Sequence, residues 1–127
     1  MKLFFQVTTF SEILIGILLV FFPRVIIGLL FETPISETSG IISSMIAGVA
    51  IISLTIICWL VQNKIDAIET VKGMMFYNFA IIAVVIYLIG IYKINGLGIW
   101  LVIGFHAFQG IWSIIILIKN KIPKINN

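Results

Sequence analysis

Glu12 is the residue in this chain whose place most needs a chemical reason. It lies inside an apolar run from Leu3 to Phe22. If that run is a helix, Glu12 falls about nine residues along it. At about 1.5 Å per residue, that is near the middle of a bilayer core of about 30 Å. A carboxylate there costs about 2.5–3.5 kcal/mol on insertion scales, so it is expected to face protein and to have a partner. Thr8, Thr9 and Gly16 flank it at helical spacing. His106 stands at a matching depth in the last apolar run, with Gln109, Gly110 and Ser113 following at i+3, i+4 and i+7. The two runs are expected to be antiparallel, so a direct hydrogen bond or ion pair between Glu12 and His106 is within reach. Burial favours the neutral form of each, and mutual attraction favours the charged pair. Such a pair can serve a proton relay or a polar substrate site. It can equally fix helix register, because polar side chains commonly join helices in membranes.

A second polar level is expected nearer the N-terminal end of the first run. Ser44, Gly48, Ile51, Thr55, Cys58 and Gln62 recur at alternating spacings of three and four, which defines one face of a helix. Tyr77 and Asn78 are expected at a depth comparable with Cys58. Close packing through small residues accounts for this face, and an Asn can bond across helices. A redox role for Cys58 would need an exposed or stabilised thiolate, and no basic residue stands near it in sequence. Met74 and Met75 with Cys58 and His106 suggest soft-metal ligands, but they fall at different depths, so no metal site is assigned. The chain has one cysteine and one histidine. An intrachain disulfide, paired-cysteine metal spacings and a bis-histidine haem within one chain are therefore excluded. Glycine-rich phosphate loops and nucleophile elbows are absent, so no catalytic residue and no cofactor are assigned. The polar-cluster candidates are Glu12, His106, Gln109, Asn78, Tyr77 and Cys58.

The elements that must carry these residues follow from composition. The 127 residues are 61% hydrophobic and only 10% charged, with a mean hydropathy of +1.24. A soluble domain usually carries about 25% charged residues. So few charges cannot cover a globule in water, and the partner of most of this surface is expected to be the lipid bilayer. The net charge of +3 does not indicate nucleic acid, because the basic residues sit at the edges of apolar runs rather than on one face. Lys2 and the apolar stretch after it resemble the start of a signal peptide. Glu12 interrupts that stretch and no small-residue cleavage site follows, so it is read as a retained helix.

The chain is expected to be all-α: one domain, an integral membrane four-helix bundle with spans at about residues 3–22, 39–61, 71–91 and 97–118, each about the 20 residues a bilayer core requires. Val25 to Phe31 is apolar but too short to cross. It is expected to lie in the interface or to continue the first helix past a kink at Pro23. The tail from Lys119 is expected to be polar and frayed. No apolar stretch alternates with period two, which argues against a barrel. With four spans, one side holds Lys2, Lys64, Lys72, Lys119, Lys121 and Lys124, and the other only Arg24 and Lys93. Basic loops stay cytoplasmic, so both termini are expected inside. Trp59 and Trp112 then lie toward the cytoplasmic interface, and Trp100 and Tyr92 toward the outer one.

The segment Ile15-Gly16-Ile17-Leu18-Leu19-Val20-Phe21-Phe22-Pro23 resembles the first helix of DoxX-like small bacterial membrane proteins, which close that helix at a proline after a glycine-containing apolar run. Ala47-Gly48, Cys58-Trp59, Phe76-Tyr77-Asn78 and Gly104-Phe105-His106 look like features of a branch of such proteins. The resemblance implies a four-helix bundle in the bacterial inner membrane, sometimes an accessory to a redox complex. It carries over no catalytic residue.

Three functional classes fit these residues. The first is a non-enzymatic accessory, scaffold or assembly component with a membrane-protein partner. The second is a transporter or channel that works as a homo-oligomer, since four short helices rarely enclose a pore alone. The third is a lipid- or quinone-binding protein, or an intramembrane enzyme, with an apolar cavity near Glu12, His106, Tyr77 and Asn78. A cavity lined by Glu12 and His106 and open to one side or to lipid would separate the last two from the first.

Overall fold

The computed structural model describes residues 1–32, 34–64 and 66–121. All of its regular structure is helical: α1 (Lys2–Phe21), α2 (Pro23–Phe31), α3 (Thr38–Val61), α4 (Ile68–Tyr92) and α5 (Leu97–Lys121). The long helices α1, α3, α4 and α5 are each apolar enough to cross a membrane, with mean hydropathy from 2.0 to 2.4 over 18-residue windows. Their bounds differ from the expected spans by a few residues. The largest differences are at the start of α4, which begins three residues early, and at the end of α5. There the helix continues through Lys121, where a frayed tail was expected from Lys119. The rest of that tail, 122–127, lies outside the described residues.

The break after α1 has a local cause. Pro23 has no N–H to donate, so it suits the first position of a new helix and not the interior of an old one. Phe22 leaves the helical region, at φ −133° and ψ 48°, and α2 starts afresh with Pro23 in its first turn. The nine residues of α2 span about 13 Å at about 1.5 Å each, less than half a bilayer core. Glu32 then closes α2 in the left-handed region at φ 50°.

From there Glu32 reaches a distant part of the chain. Its Oε1 accepts the backbone N–H of Leu97 at 3.2 Å, supplying a partner and a negative charge to the start of α5. Gly98 makes room for the same approach. A Cβ there would lie 2.5 Å from Leu30 Cα and 2.5 Å from Leu30 O. The end of α2 is thereby seated on the first turn of α5.

The helices pack chiefly as two antiparallel pairs, α1 with α3 and α4 with α5. In the first pair the backbones approach at Gly16 and Gly48, where a Cβ on Gly48 would stand 2.7 Å from Gly16 O. Small residues allow this kind of close crossing. Lower on the same seam the Thr9 hydroxyl donates to Thr55 O at 3.4 Å. In the second pair the Phe79 ring lies over Gly110, 3.0 Å from where a Cβ would be. The two pairs meet where α1 lies along α5. Phe4, Phe5, Cys58, Ala67, Val71, Met74 and Ile116 form an apolar core at the end of the bundle that holds the N-terminus. Phe4 also packs edge-on to Trp112, with centroids 5.6 Å apart.

Outside, the arrangement is inverted relative to a water-soluble bundle. Phe10, Ile46, Phe76 and Trp100 are all more than 60% exposed, and Thr8, Glu12, Asn78, His106, Gln109 and Ser113 are buried.

Candidate functional site

The buried polar residues occupy successive turns of three helices. On α1, Thr8 and Glu12 are four residues apart, so their side chains lie one above the other on a single face. On α5, His106 and Gln109 are three residues apart, which also places them on one face, and Ser113 continues the line four residues on. Because α1 and α5 run antiparallel, Thr8 meets Gln109, and Glu12 comes level with His106 one turn further on.

The first rung is closed directly. Gln109 Nε2 donates to Thr8 Oγ1 at 3.1 Å. Ser113 turns its hydroxyl back to Gln109 O at 2.9 Å, so it takes no part between helices.

The second rung is not a direct pair. No ring nitrogen of His106 comes within 4.0 Å of a Glu12 oxygen, and the ion pair found among the described residues is Lys72–Glu69 on the surface. The hydrogen bond or ion pair expected between Glu12 and His106 is therefore corrected. α4 supplies the partners of both. Tyr77 extends its hydroxyl to Glu12 Oε2, 3.5 Å away, and its ring stands edge-on to the His106 imidazole at a centroid distance of 5.7 Å. Asn78 Oδ1 lies 2.8 Å from His106 Nδ1, and Asn78 Nδ2 donates to Met74 O at 2.7 Å.

Tyr77 joins two levels: its ring packs against the apolar cluster that holds Cys58, Val71 and Met74, and its hydroxyl extends to Glu12. Asn78 bonds at the Glu12–His106 level, one helical turn beyond Met74. Met74 shares the apolar core with Cys58, whereas His106 is bonded one level away, so these side chains do not gather. Among the described residues no three His, Cys, Asp or Glu side chains come together.

The α3 face carries its polar groups differently. Ser44, Gly48, Thr55, Cys58 and Gln62 are buried and Ile51 is half-buried. Ser44 and Thr55 return their hydroxyls to their own helix, at Gly40 O (2.9 Å) and Ile52 O (2.7 Å). These bonds satisfy each donor locally and leave the small side chains as packing surface.

Two surface grooves accompany these seams. One, of about 300 Å³, opens between α1 and α3 and is lined by Thr9, Phe10, Ile13, Thr55, Ile56 and Trp59. The other lies at the α1–α2 break, beside Phe22, Arg24 and Ile41. Neither is lined by Glu12 or His106.

Sequence reasoning placed Thr8 beside Glu12 but missed its bond to Gln109. It also missed Glu32 as the partner of Leu97. The i, i+4 spacing of Thr8 and Glu12, facing the i, i+3 spacing of His106 and Gln109, is a signal for the first. A contact across 65 residues, such as Glu32 to Leu97, leaves no periodic trace.

No family model, curated protein or solved structure matches the chain.

Proposed function

We propose that the protein is a non-enzymatic component of a membrane assembly, an accessory, scaffold or assembly subunit, with four spans and both termini cytoplasmic. The observation that carries this reading is how the intramembrane polar groups are used. Glu12, Tyr77, Asn78, His106, Gln109 and Thr8 bond across α1, α4 and α5, and the two grooves do not reach Glu12 or His106. Polar side chains used in this way hold helices in register. The surface left for interaction is apolar and spread over four long helices, which suits lateral association with another membrane protein. The orientation rests on the six-to-two distribution of basic residues. The bacterial inner membrane and the DoxX-like relationship are supported by the short motifs of α1, α3, α4 and α5 alone.

The groove between α1 and α3 favours a second reading, that the protein binds a lipid or quinone. It is apolar, and the buried Thr9 and Thr55 line it beside the exposed Phe10, Ile56 and Trp59.

Reconstitution separates these readings from a transporter. The purified protein in liposomes is expected to give no proton or ion flux above protein-free liposomes, and native mass spectrometry of solubilised membranes is expected to find it in a stoichiometric complex. Flux that Glu12→Gln abolishes would overturn the accessory reading.

A further inference from the structure

The start of α2 gathers positive charge with no acid to match it. Arg24 follows Pro23 in the first turn, and that turn holds no acidic residue. A helix N-terminus already carries partial positive charge on N–H groups that lack helical partners, so an anion is favoured there and a cation is not. No carboxylate among the described residues comes within 4.0 Å of the Arg24 guanidinium, and the ion pair among them is Lys72–Glu69. The nearby acids are used elsewhere. Glu37, at the N-cap of α3, accepts from the Ser39 hydroxyl, and Glu32, at the far end of α2, accepts the Leu97 N–H.

Beside this charge the surface is apolar. The groove at the α1–α2 break measures about 340 Å³ and is lined by Phe21, Phe22, Pro23, Arg24, Val25 and Ile41. Of these six only Arg24 is charged. Phe21, Phe22 and Val25 are each more than half exposed. An inorganic anion would match Arg24 and leave these walls bare. A hydrocarbon chain would cover the walls and leave Arg24 unmatched. A molecule that joins an anionic head to a hydrocarbon tail does both.

We propose that this groove binds one anionic phospholipid, its phosphate on the Arg24 guanidinium and an acyl chain along Phe21, Phe22, Val25 and Ile41. The guanidinium presents a planar fork of donors that matches two phosphate oxygens, and such a charge-assisted pair is stronger than a neutral bond. A zwitterionic head fits less well, because its ammonium would face charge of the same sign. The site rests on the four-span reading. The 20 residues of α1 cover about 30 Å, the thickness of a bilayer core, so the break after Phe21 falls at the edge where phosphates lie.

The full chain in nanodiscs of equal parts phosphatidylglycerol and phosphatidylcholine, extracted into mild detergent, tests this by native mass spectrometry of the lipid that stays bound. One phosphatidylglycerol is expected to be retained, several-fold in preference to phosphatidylcholine. Arg24→Gln is expected to reduce that retention several-fold. Arg24→Lys should reduce it less, since lysine keeps the charge without the fork. Ile41→Trp narrows the groove and is expected to lower retention with Arg24 intact, and Lys93→Gln, outside the groove, to leave it unchanged. Equal retention of the two lipids, equal loss from Arg24→Gln and Lys93→Gln, or retention that survives Ile41→Trp overturns the site and leaves the four spans standing. So does displacement of the lipid by millimolar glycerol phosphate, which would show a phosphate site that needs no chain. A protein that fails to enter the bilayer overturns the four-span reading and the site with it.

Discussion

Gly16 and Gly48 touch backbone to backbone, so the α1–α3 crossing has no room for a side chain at either position. A Cβ on Gly16 would stand 3.0 Å from Gly48 O and 2.7 Å from an Ile52 methylene, and one on Gly48 would stand 2.7 Å from Gly16 O. Carbonyl oxygens in two helices cannot move aside as a flexible side chain can. Gly48→Leu is therefore expected to cost at least the upper part of the range for overpacked cores, about 3 kcal/mol. Gly73 and Gly104 have nothing within 4 Å of an added Cβ, and alanine at either is expected to leave stability unchanged or slightly raised. Thermal unfolding in one detergent compares all three. An unaltered midpoint for Gly48→Leu would mean that the α1–α3 crossing is not as close as described.

The bond from His106 to Asn78 should couple more strongly than Glu12 couples to His106. The first pair is in direct contact at 2.8 Å and fully inside the bundle. Measured couplings between polar side chains in membrane helices average about 0.6 kcal/mol and reach about 1.7 kcal/mol. A double-mutant cycle with Asn78→Leu and His106→Leu is expected near the top of that range. A cycle with Glu12→Gln and His106→Gln is expected to be non-additive but smaller, since any coupling passes through Tyr77. A larger Glu12–His106 coupling would mean that the two side chains meet directly.

These relationships show what the sequence could and could not disclose. The four long helices were legible because an apolar run of about 20 residues has few alternatives, and the break at Pro23 because proline lacks a donor. The α3 face was legible because alternating spacings of three and four trace one side of a helix. Which residue bonds which was not legible, because matched depth fixes the level and not the partner. Glu12 and His106 share a level, yet Tyr77 and Asn78 lie closer to them. That depends on the length of a phenol and on how near α4 stands to α1 and α5. The seating of Leu30 on Gly98 and the capping of α5 by Glu32 depend on where a nine-residue helix ends, and no periodic pattern records it.

Glu32 offers a test of that seating. Its carboxylate accepts the Leu97 N–H at the start of α5, where negative charge is favourable. Glu32→Gln keeps an acceptor and removes the charge, and Glu32→Ala removes both. An exposed carboxylate at a helix N-terminus contributes about 0.3–1 kcal/mol at low salt. Alanine is expected to lower the unfolding midpoint more than glutamine, and the deficit of glutamine is expected to shrink as salt screens the charge. Equal midpoints for all three proteins would show that α5 starts without help from α2.

Orientation is open to a direct test. Of the eight basic residues in the sequence, six are expected on the side of the N-terminus and the α3–α4 connector if the chain crosses four times. Alkaline phosphatase folds actively only outside the cytoplasm. A fusion after Asn127 is expected to be inactive, and one in the α2–α3 loop after Glu37 is expected to be active. The reverse pattern would invert the protein and with it the proposed sides of Trp59 and Trp100.

Cys58 reports on whether the end of the bundle that holds the N-terminus opens. It is the only cysteine, its exposure is 0%, and Phe4, Phe5, Val71 and Met74 share its apolar cluster. A thiol reacts as the thiolate and only when the reagent can reach it. A membrane-permeant maleimide is therefore expected to label the folded protein slowly, at a rate set by opening of the helices, and to label the unfolded protein within minutes. The cluster also predicts which substitution speeds the reaction. Phe4→Ala removes a buried ring that packs against Phe5 and Trp112, a change that costs about 3–5 kcal/mol in a well-packed core. It should raise the labelling rate by at least ten-fold, because about 1.4 kcal/mol in the opening equilibrium is a factor of ten. Phe10→Ala, on a side chain 65% exposed, should leave the rate near that of the unmodified protein. Rapid labelling of the unmodified protein in bilayers would mean that α3 and α4 part at that end. Polar molecules could then pass the apolar core toward Glu12, and the transporter reading would gain the path that a closed core denies it.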